Sequence, residues 1–316
     1  MREQPLLFGE MKSLIGILAD SPRTHPGPPR PAVILLNPGI VHRVGPGRIY
    51  VKIARTLAET GFMVLRFDFS GIGDSAVRQD SLPFEKSAVS EAQEAMDFLQ
   101  RAHNIDRFIL MGGCSGAVIS LEAALNDPRV IGAVLINFPF TQDQDENAPD
   151  LALRRAAHYY RNFALVNPRS WQKLCTGKAN YRFLLRVMCS EVKRRVSFGP
   201  GASPESPLLH SLRCLADRGV RVTLVCSEGD PSLEELHDTV GKYLRQLSHC
   251  GSIAVSIVRR SDHTFTSLYD QEQLLELILE RVQTMAQPVE NLSNSREPLC
   301  TENIVLQEGL TRQSSL

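Results

Sequence analysis

RFILMGGCSGAVISLEAAL, residues 107–125, reads as a strand that turns directly into a helix through Gly112-Gly113-Cys114-Ser115-Gly116. The apolar run before the glycines is short and unbroken, as in a strand buried on both faces, and the run after them has helix-forming composition. The spacing is that of the G-x-S-x-G nucleophile elbow, with cysteine at the apex. Such a turn is tight and strained. Gly112 and Gly116 remove side chains that would collide, and the apex side chain is thrust above the sheet edge. The amide of Ser115 then lies at a helix N-terminus, where it can donate to a developing oxyanion and favour a thiolate. An isolated G-x-C-x-G is more often a plain glycine-rich turn; the strand and helix on either side favour the elbow here.

Outward from this turn, apolar runs alternate with helical patterns, the signature of a mostly parallel sheet covered by helices. Strands are predicted at 14–19, 32–36, 63–69, 107–111, 130–137, 221–226 and 253–258. Helices are predicted at 48–59, 85–102, 117–126, 207–217, 233–247 and 268–285. Gly61, Gly219 and Gly251 fall just past helices, where a left-handed cap favours glycine. The alternation breaks at 141–206, which opens on the acidic TQDQDENAPD and closes on FGPGASPES. A helical lid inserted after the strand at 130–137 is the expected arrangement. The core is therefore expected at 1–140 and 207–286, and the polar residues 287–316 are expected to form a disordered tail.

A nucleophile at the end of a parallel strand needs an acid after a later strand and a histidine after the last one. RVTLVC leads into SEGDP, which offers Glu228 and Asp230; Asp230 is favoured because it lies deeper in the loop, against Pro231. SIAVSIVRR leads into SDHTF, which offers His263. A lone loop histidine is usually a solvated surface group, and only its place after the final strand argues for chemistry. Asp262 is adjacent to His263 and should point elsewhere. The second oxyanion donor should come from LLNPGIVHRVGPGR, after the strand at 32–36. Pro38 has no amide hydrogen, which leaves Gly39, with Ile40 the alternative. His42 and Arg43 follow and could face substrate. FDFSGIGDS, residues 67–75, contains a GIG that does not complete a dinucleotide fingerprint and reads as a structural turn.

These residues resemble the α/β-hydrolase superfamily from about Leu14 to Met285. The resemblance is sharpest at NPG (37–39), FDFSGIGDS, GGCSG (112–116) and the EGDP and DHTF segments. More narrowly, the chain looks like bacterial hydrolases related to the serine aminopeptidase group and to those accompanying exosortase or polyketide clusters. The resemblance implies a Cys114, Asp230, His263 triad beneath a helical lid. The departure is the cysteine, since most of the superfamily uses serine.

A thiolate is strongly nucleophilic, and the thioester it forms can pass its acyl group to water or to another acceptor. Three readings follow: a hydrolase of carboxylic esters or thioesters, an acyltransferase using the same residues, and a non-catalytic binding protein that kept the fold. Ser115 is a competing hydroxyl, but it follows the apex and its side chain should turn into the helix start. Between Leu151 and Ser197 stand eleven basic residues, Arg194 and Arg195 among them, against one acid, Glu191. A basic lid of that kind would attract an acyl group carried by coenzyme A or an acidic carrier protein; solvated helix faces are the plainer explanation.

Composition bounds the rest. The 316 residues carry 35 basic and 35 acidic side chains and are 43% hydrophobic, enough for a full-sized core with no global attraction to nucleic acid or anionic membranes. Met1 to Glu10 lacks a signal-peptide core, and a cytoplasmic protein is expected. Seven scattered cysteines suit reduced thiols, and neither a metal nor a cofactor is expected.

Overall fold

The strand residues 32–36 show why this chain makes a doubly covered sheet. Ala32, Ile34 and Leu36 face one apolar layer, while Val33 and Leu35 face another. Successive strand side chains point to opposite faces, so an unbroken apolar run requires cover on both. The computed structural model describes residues 1–10, 12–21, 30–140, 207–233, 235–236 and 252–287.

Within them an eight-stranded sheet is formed by β1 (Arg2–Phe8), β2 (Leu14–Asp20), β3 (Ala32–Leu36), β4 (Val64–Phe67), β5 (Phe108–Gly113), β6 (Val130–Ile136), β7 (Arg221–Ser227) and β8 (Ile253–Val258). The spatial order is β1-β2-β4-β3-β5-β6-β7-β8. The strands from β4 to β8 across the sheet are parallel to one another, and β2 runs antiparallel to both its neighbours. Five described helices connect or flank them: α1 (Ile49–Glu59), α2 (Phe84–His103), α3 (Ser115–Asn126), α4 (Pro207–Asp217) and α5 (Leu268–Ala286). One face of the sheet is covered by α2, α3 and α4, with Ala92, Ala95, Ala117 and Leu212 fully buried; the other by α1 and α5, with Ile53, Leu57, Leu274 and Ile278 fully or almost fully buried. Each such leucine or isoleucine contributes roughly 1.5–3 kcal/mol over its exposed state.

Helix α3 sits at the centre, packed on β5, β6 and α2. Its buried residues include Gly116, Ala117, Ser120, Ala123 and Ala124. These small side chains let it approach the sheet closely, and its burial on several sides explains why its apolar residues form no single stripe.

The seven predicted strands are all present, and β1 is an addition. REQPLLF mixes charge, a proline and few apolar residues, because β1 is an edge strand with only Phe8 buried. An edge position also accommodates Pro5. The lid expected at 141–206, with Arg194 and Arg195, lies outside the described residues, as do most of the helix predicted at 233–247 and the tail beyond Gln287.

Candidate active site

The parallel strands deliver their C-terminal ends to one edge of the sheet, and the turn after β5 is the sharpest there. Cys114 takes φ 52° and ψ −121°, a conformation costly for any residue with a Cβ. The flanking glycines are required by contact. A Cβ on Gly112 would lie 2.2 Å from the backbone of Gly116, and one on Gly116 would lie 2.6 Å from the carbonyls of Leu36 and Asn37. A Cβ on Gly113 would meet nothing nearer than 3.7 Å. Gly112→Ala is therefore expected to destabilise the protein by about 3 kcal/mol or more. Gly113→Ala should unfold near the wild-type midpoint in the same denaturant titration.

The strained turn is held from below by Tyr50 of α1, which sequence reading missed. Its buried hydroxyl accepts from the Gly113 amide and donates to the Leu36 carbonyl, both at 2.9 Å. One side chain thus joins the elbow to the end of β3. Its only signal in the sequence is a tyrosine on the buried face of a helix, whose hydroxyl must find a partner.

The loops after β7 and β8 bring Asp230 and His263 to the same edge. His263 Nδ1 lies 2.5 Å from Asp230 Oδ2, and Cys114 is close enough to the same imidazole for the two groups to shift each other's ionisation. The second Asp230 oxygen accepts from the Ser232 amide at 2.9 Å. Glu228 faces away and accepts from the Arg260 amide. Asp262 also turns aside, its Oδ1 accepting from the amides of Thr264 and Thr266 and so bracing the loop that presents His263. Asn137 is another residue that sequence reading missed. Buried at the end of β6 with φ 46°, it accepts from the Ser227 amide and donates to the Ser227 hydroxyl and the His263 carbonyl, within 2.9 Å. It ties the ends of three strands together.

The electrostatics of the three groups favour one protonation state. The hydrogen bond with His263 holds the Cys114 thiol below the ordinary cysteine range, against burial, with the Ser115 amide assisting. The hydrogen bonds with Asp230 and then Cys114 raise the imidazole to about 10. Burial opposes ionisation of Asp230, but the hydrogen bonds from His263 and Ser232 outweigh it and hold its carboxyl low. Both shifts run in the same direction, towards a thiolate beside an imidazolium and away from the neutral pair.

The loop after β3 departs from expectation in two respects. Gly39, with φ 62°, donates its amide to Ser115 Oγ at 2.7 Å; the serine hydroxyl does not turn into the helix start. Arg43 is not open to substrate. Its guanidinium is paired with Asp68 and with Asp74, the latter at 2.7 Å, and its amide donates to Asp68 at 2.5 Å. Asp68 is fully buried and also accepts from Asn37 Nδ2 and the Asp74 amide. The turn at 67–75 is structural, as predicted, and has a further use: its first acid anchors the loop that carries Gly39. Gly73 makes room for this, because a Cβ there would overlap the Asp68 carboxylate. His42 is exposed on the same loop.

Among the described residues no group of three or more His, Cys, Asp or Glu side chains is placed to hold a metal ion. No described helix is long and apolar enough to cross a membrane.

Residues 28–186 match the family model described as serine aminopeptidase, S33. The chain belongs to this α/β-hydrolase family. The family match takes in the β3 loop and the elbow and ends before Asp230 and His263. Among curated relatives, a Klebsiella pneumoniae (strain 342) protein named as the carbamate hydrolase RutD is 35% identical over 118 residues, 37% of this chain and 40% of the relative. The Thermotoga maritima esterase EstD is 29% identical over 115 residues, 35% of this chain and 27% of the relative. The similarity thus spans less than half the length of either relative. Solved structures share the fold over most of the chain. A proline iminopeptidase from Mycobacterium smegmatis covers 90% of this chain and 99% of its own at TM-score 0.53 and 17% identity. The serine hydrolase XC6422 from Xanthomonas campestris covers 91% and 97% at TM-score 0.53 and 14% identity.

Proposed function

We propose that this protein hydrolyses a carboxylic ester or thioester through a covalent intermediate on Cys114. The observation that carries the reading is the His263–Asp230 hydrogen bond beside Cys114 at a strained strand-to-helix apex, where thiol and imidazole shift each other's ionisation. The names of the two curated relatives, a carbamate hydrolase and an esterase, belong to the same broad chemistry of cleaving an acyl carbon from a heteroatom.

In this reading the Cys114 thiolate attacks the carbonyl carbon, and the C=O electron pair moves onto oxygen. The Ser115 and Gly39 segment receives that oxyanion. Collapse re-forms the carbonyl and breaks the bond to the leaving group, which takes its proton from the His263 imidazolium. The products are an acyl thioester on Cys114 and a neutral imidazole. Water then attacks the thioester while His263 removes its proton, and the acid departs as the thiolate and imidazolium re-form. Asp230 holds the imidazole in register and favours its charged form throughout. A cysteine at the apex also supports a second reading, acyl transfer, in which an alcohol or amine replaces water. Product analysis with and without such acceptors distinguishes the two.

The test is intact-protein mass spectrometry after brief exposure to activated esters and acyl-CoA thioesters. An acyl adduct is expected on the wild type, absent in Cys114→Ala and formed more slowly in His263→Ala. Turnover that persists in Cys114→Ala would overturn the reading. Iodoacetamide labelling gives an independent check. The pH midpoint for labelling Cys114 is expected below the ordinary cysteine range, because its thiol is held low. In His263→Ala the largest cause of that lowering is gone, while burial and the Asp230 charge remain, so the midpoint should rise. Cys226 serves as an internal control: it is buried and its thiol is pushed up to about 12, so it should stay unlabelled.

A further inference from the structure

The Ser115 hydroxyl sits where the oxyanion donors converge. Its oxygen accepts the Gly39 amide hydrogen at 2.7 Å, while the amide of the same residue helps to hold the Cys114 thiol low. A hydroxyl has one proton to give and two lone pairs to receive with. Here a lone pair is engaged by Gly39, and among the described residues the proton has no acceptor. Ser115 is half-buried, next to the half-buried Cys114. Nitrogen and Oγ of one residue are joined through Cα and Cβ, so the two donors of Ser115 are only a few bonds apart.

We infer that Ser115 is a catalytic residue through its side chain, donating its hydroxyl proton to the developing oxyanion while the Gly39 amide polarises it from behind. Donation to Oγ strengthens the O–H as a donor, because hydrogen bonds in series reinforce one another. The oxyanion would then be met by the Ser115 amide and the Ser115 hydroxyl, with Gly39 acting through the latter. The inference rests on the proposed acylation of Cys114, and it assigns the carbonyl oxygen a donor different from the two backbone amides expected of such a site. It also makes a statement about substrate: the hydroxyl favours a carbonyl whose oxygen gains charge, and gives little to a thiocarbonyl, whose sulfur is a weak acceptor.

The experiment compares an activated ester with its thionoester on the wild type, Ser115→Ala and Ser115→Thr, following Cys114 acylation by rapid quench and mass spectrometry. Ser115→Ala is expected to acylate from the ester on the order of 10²-fold more slowly, with KM little changed. The preference for ester over thionoester should fall with it, and Ser115→Thr, which keeps the hydroxyl, should restore both. A loss shared equally by ester and thionoester would make Ser115 a structural support and overturn the assignment. An unchanged or faster Ser115→Ala would overturn it too, the faster case showing that the hydroxyl merely occupies the Gly39 amide. Turnover by wild type without acylation of Cys114 would remove the underlying reading. Acylation of wild type with an unaffected Ser115→Ala would remove the hydroxyl's role alone.

Discussion

Cys114→Ser is expected to lower kcat/KM by about 10³-fold or more while leaving the fold intact. The substitution is nearly isosteric and restores the residue common in the superfamily, so the opposite outcome has a claim on attention. The electrostatics argue against it. This site stabilises a thiolate beside an imidazolium, with the imidazole raised to about 10. A charged imidazole cannot accept a proton, and a serine hydroxyl, unlike the thiol, does not ionise beside it near neutral pH. Steady-state kinetics together with denaturant unfolding of wild type and variant checks both parts. A serine variant within tenfold of wild type would show that His263 works chiefly as a neutral base, as in serine enzymes.

Asp68→Ala is expected to lose about 3–5 kcal/mol of stability. The carboxylate is fully buried and receives the Arg43 guanidinium, Asn37 Nδ2 and the amides of Arg43 and Asp74. Removing it leaves several donors without an acceptor and leaves Arg43, whose side chain is 18% exposed, with Asp74, which is 65% exposed, as its one ion-pair partner among the described residues. The same anchor positions the loop bearing Gly39, so activity measured where the variant remains folded should also fall. A midpoint and slope in urea matching those of wild type would contradict this role. Asp68→Asn, which keeps the shape and one acceptor oxygen, should lose less.

The parts of this molecule that a reader of sequence can see are those where one local rule acts alone. Strand runs 32–36 and 107–111 announce themselves because both faces are buried, and Gly112-Cys114-Gly116 because only glycine tolerates the approach of Gly116 to the β3 carbonyls. The order of Cys114, Asp230 and His263 follows from which strand ends meet, and the structure brings the three together. Less legible is whatever depends on side chains meeting across elements. Tyr50 and Asn137 look like ordinary residues of a helix and a strand end, because their partners, Gly113 and His263, are distant in sequence. Arg43 drew attention as a cation near the site, and its pairing with Asp68 and Asp74 could not be read from spacing. β1 was invisible for a different reason: an edge strand needs few apolar residues.

The chain order of the site also determines when its chemistry becomes available during synthesis. Gly39, Tyr50, Cys114 and Ser115 all emerge before β6, whereas Asp230 and His263 follow β7 and β8, the last strands of the sheet. A nascent chain on the ribosome therefore carries the cysteine without the imidazole that lowers its pKa. Its thiol keeps an ordinary acidity, with only a small fraction ionised near neutral pH, until the final strands dock. The added acidity of the thiol is thus conferred by completion of the sheet, not by the elbow that carries it.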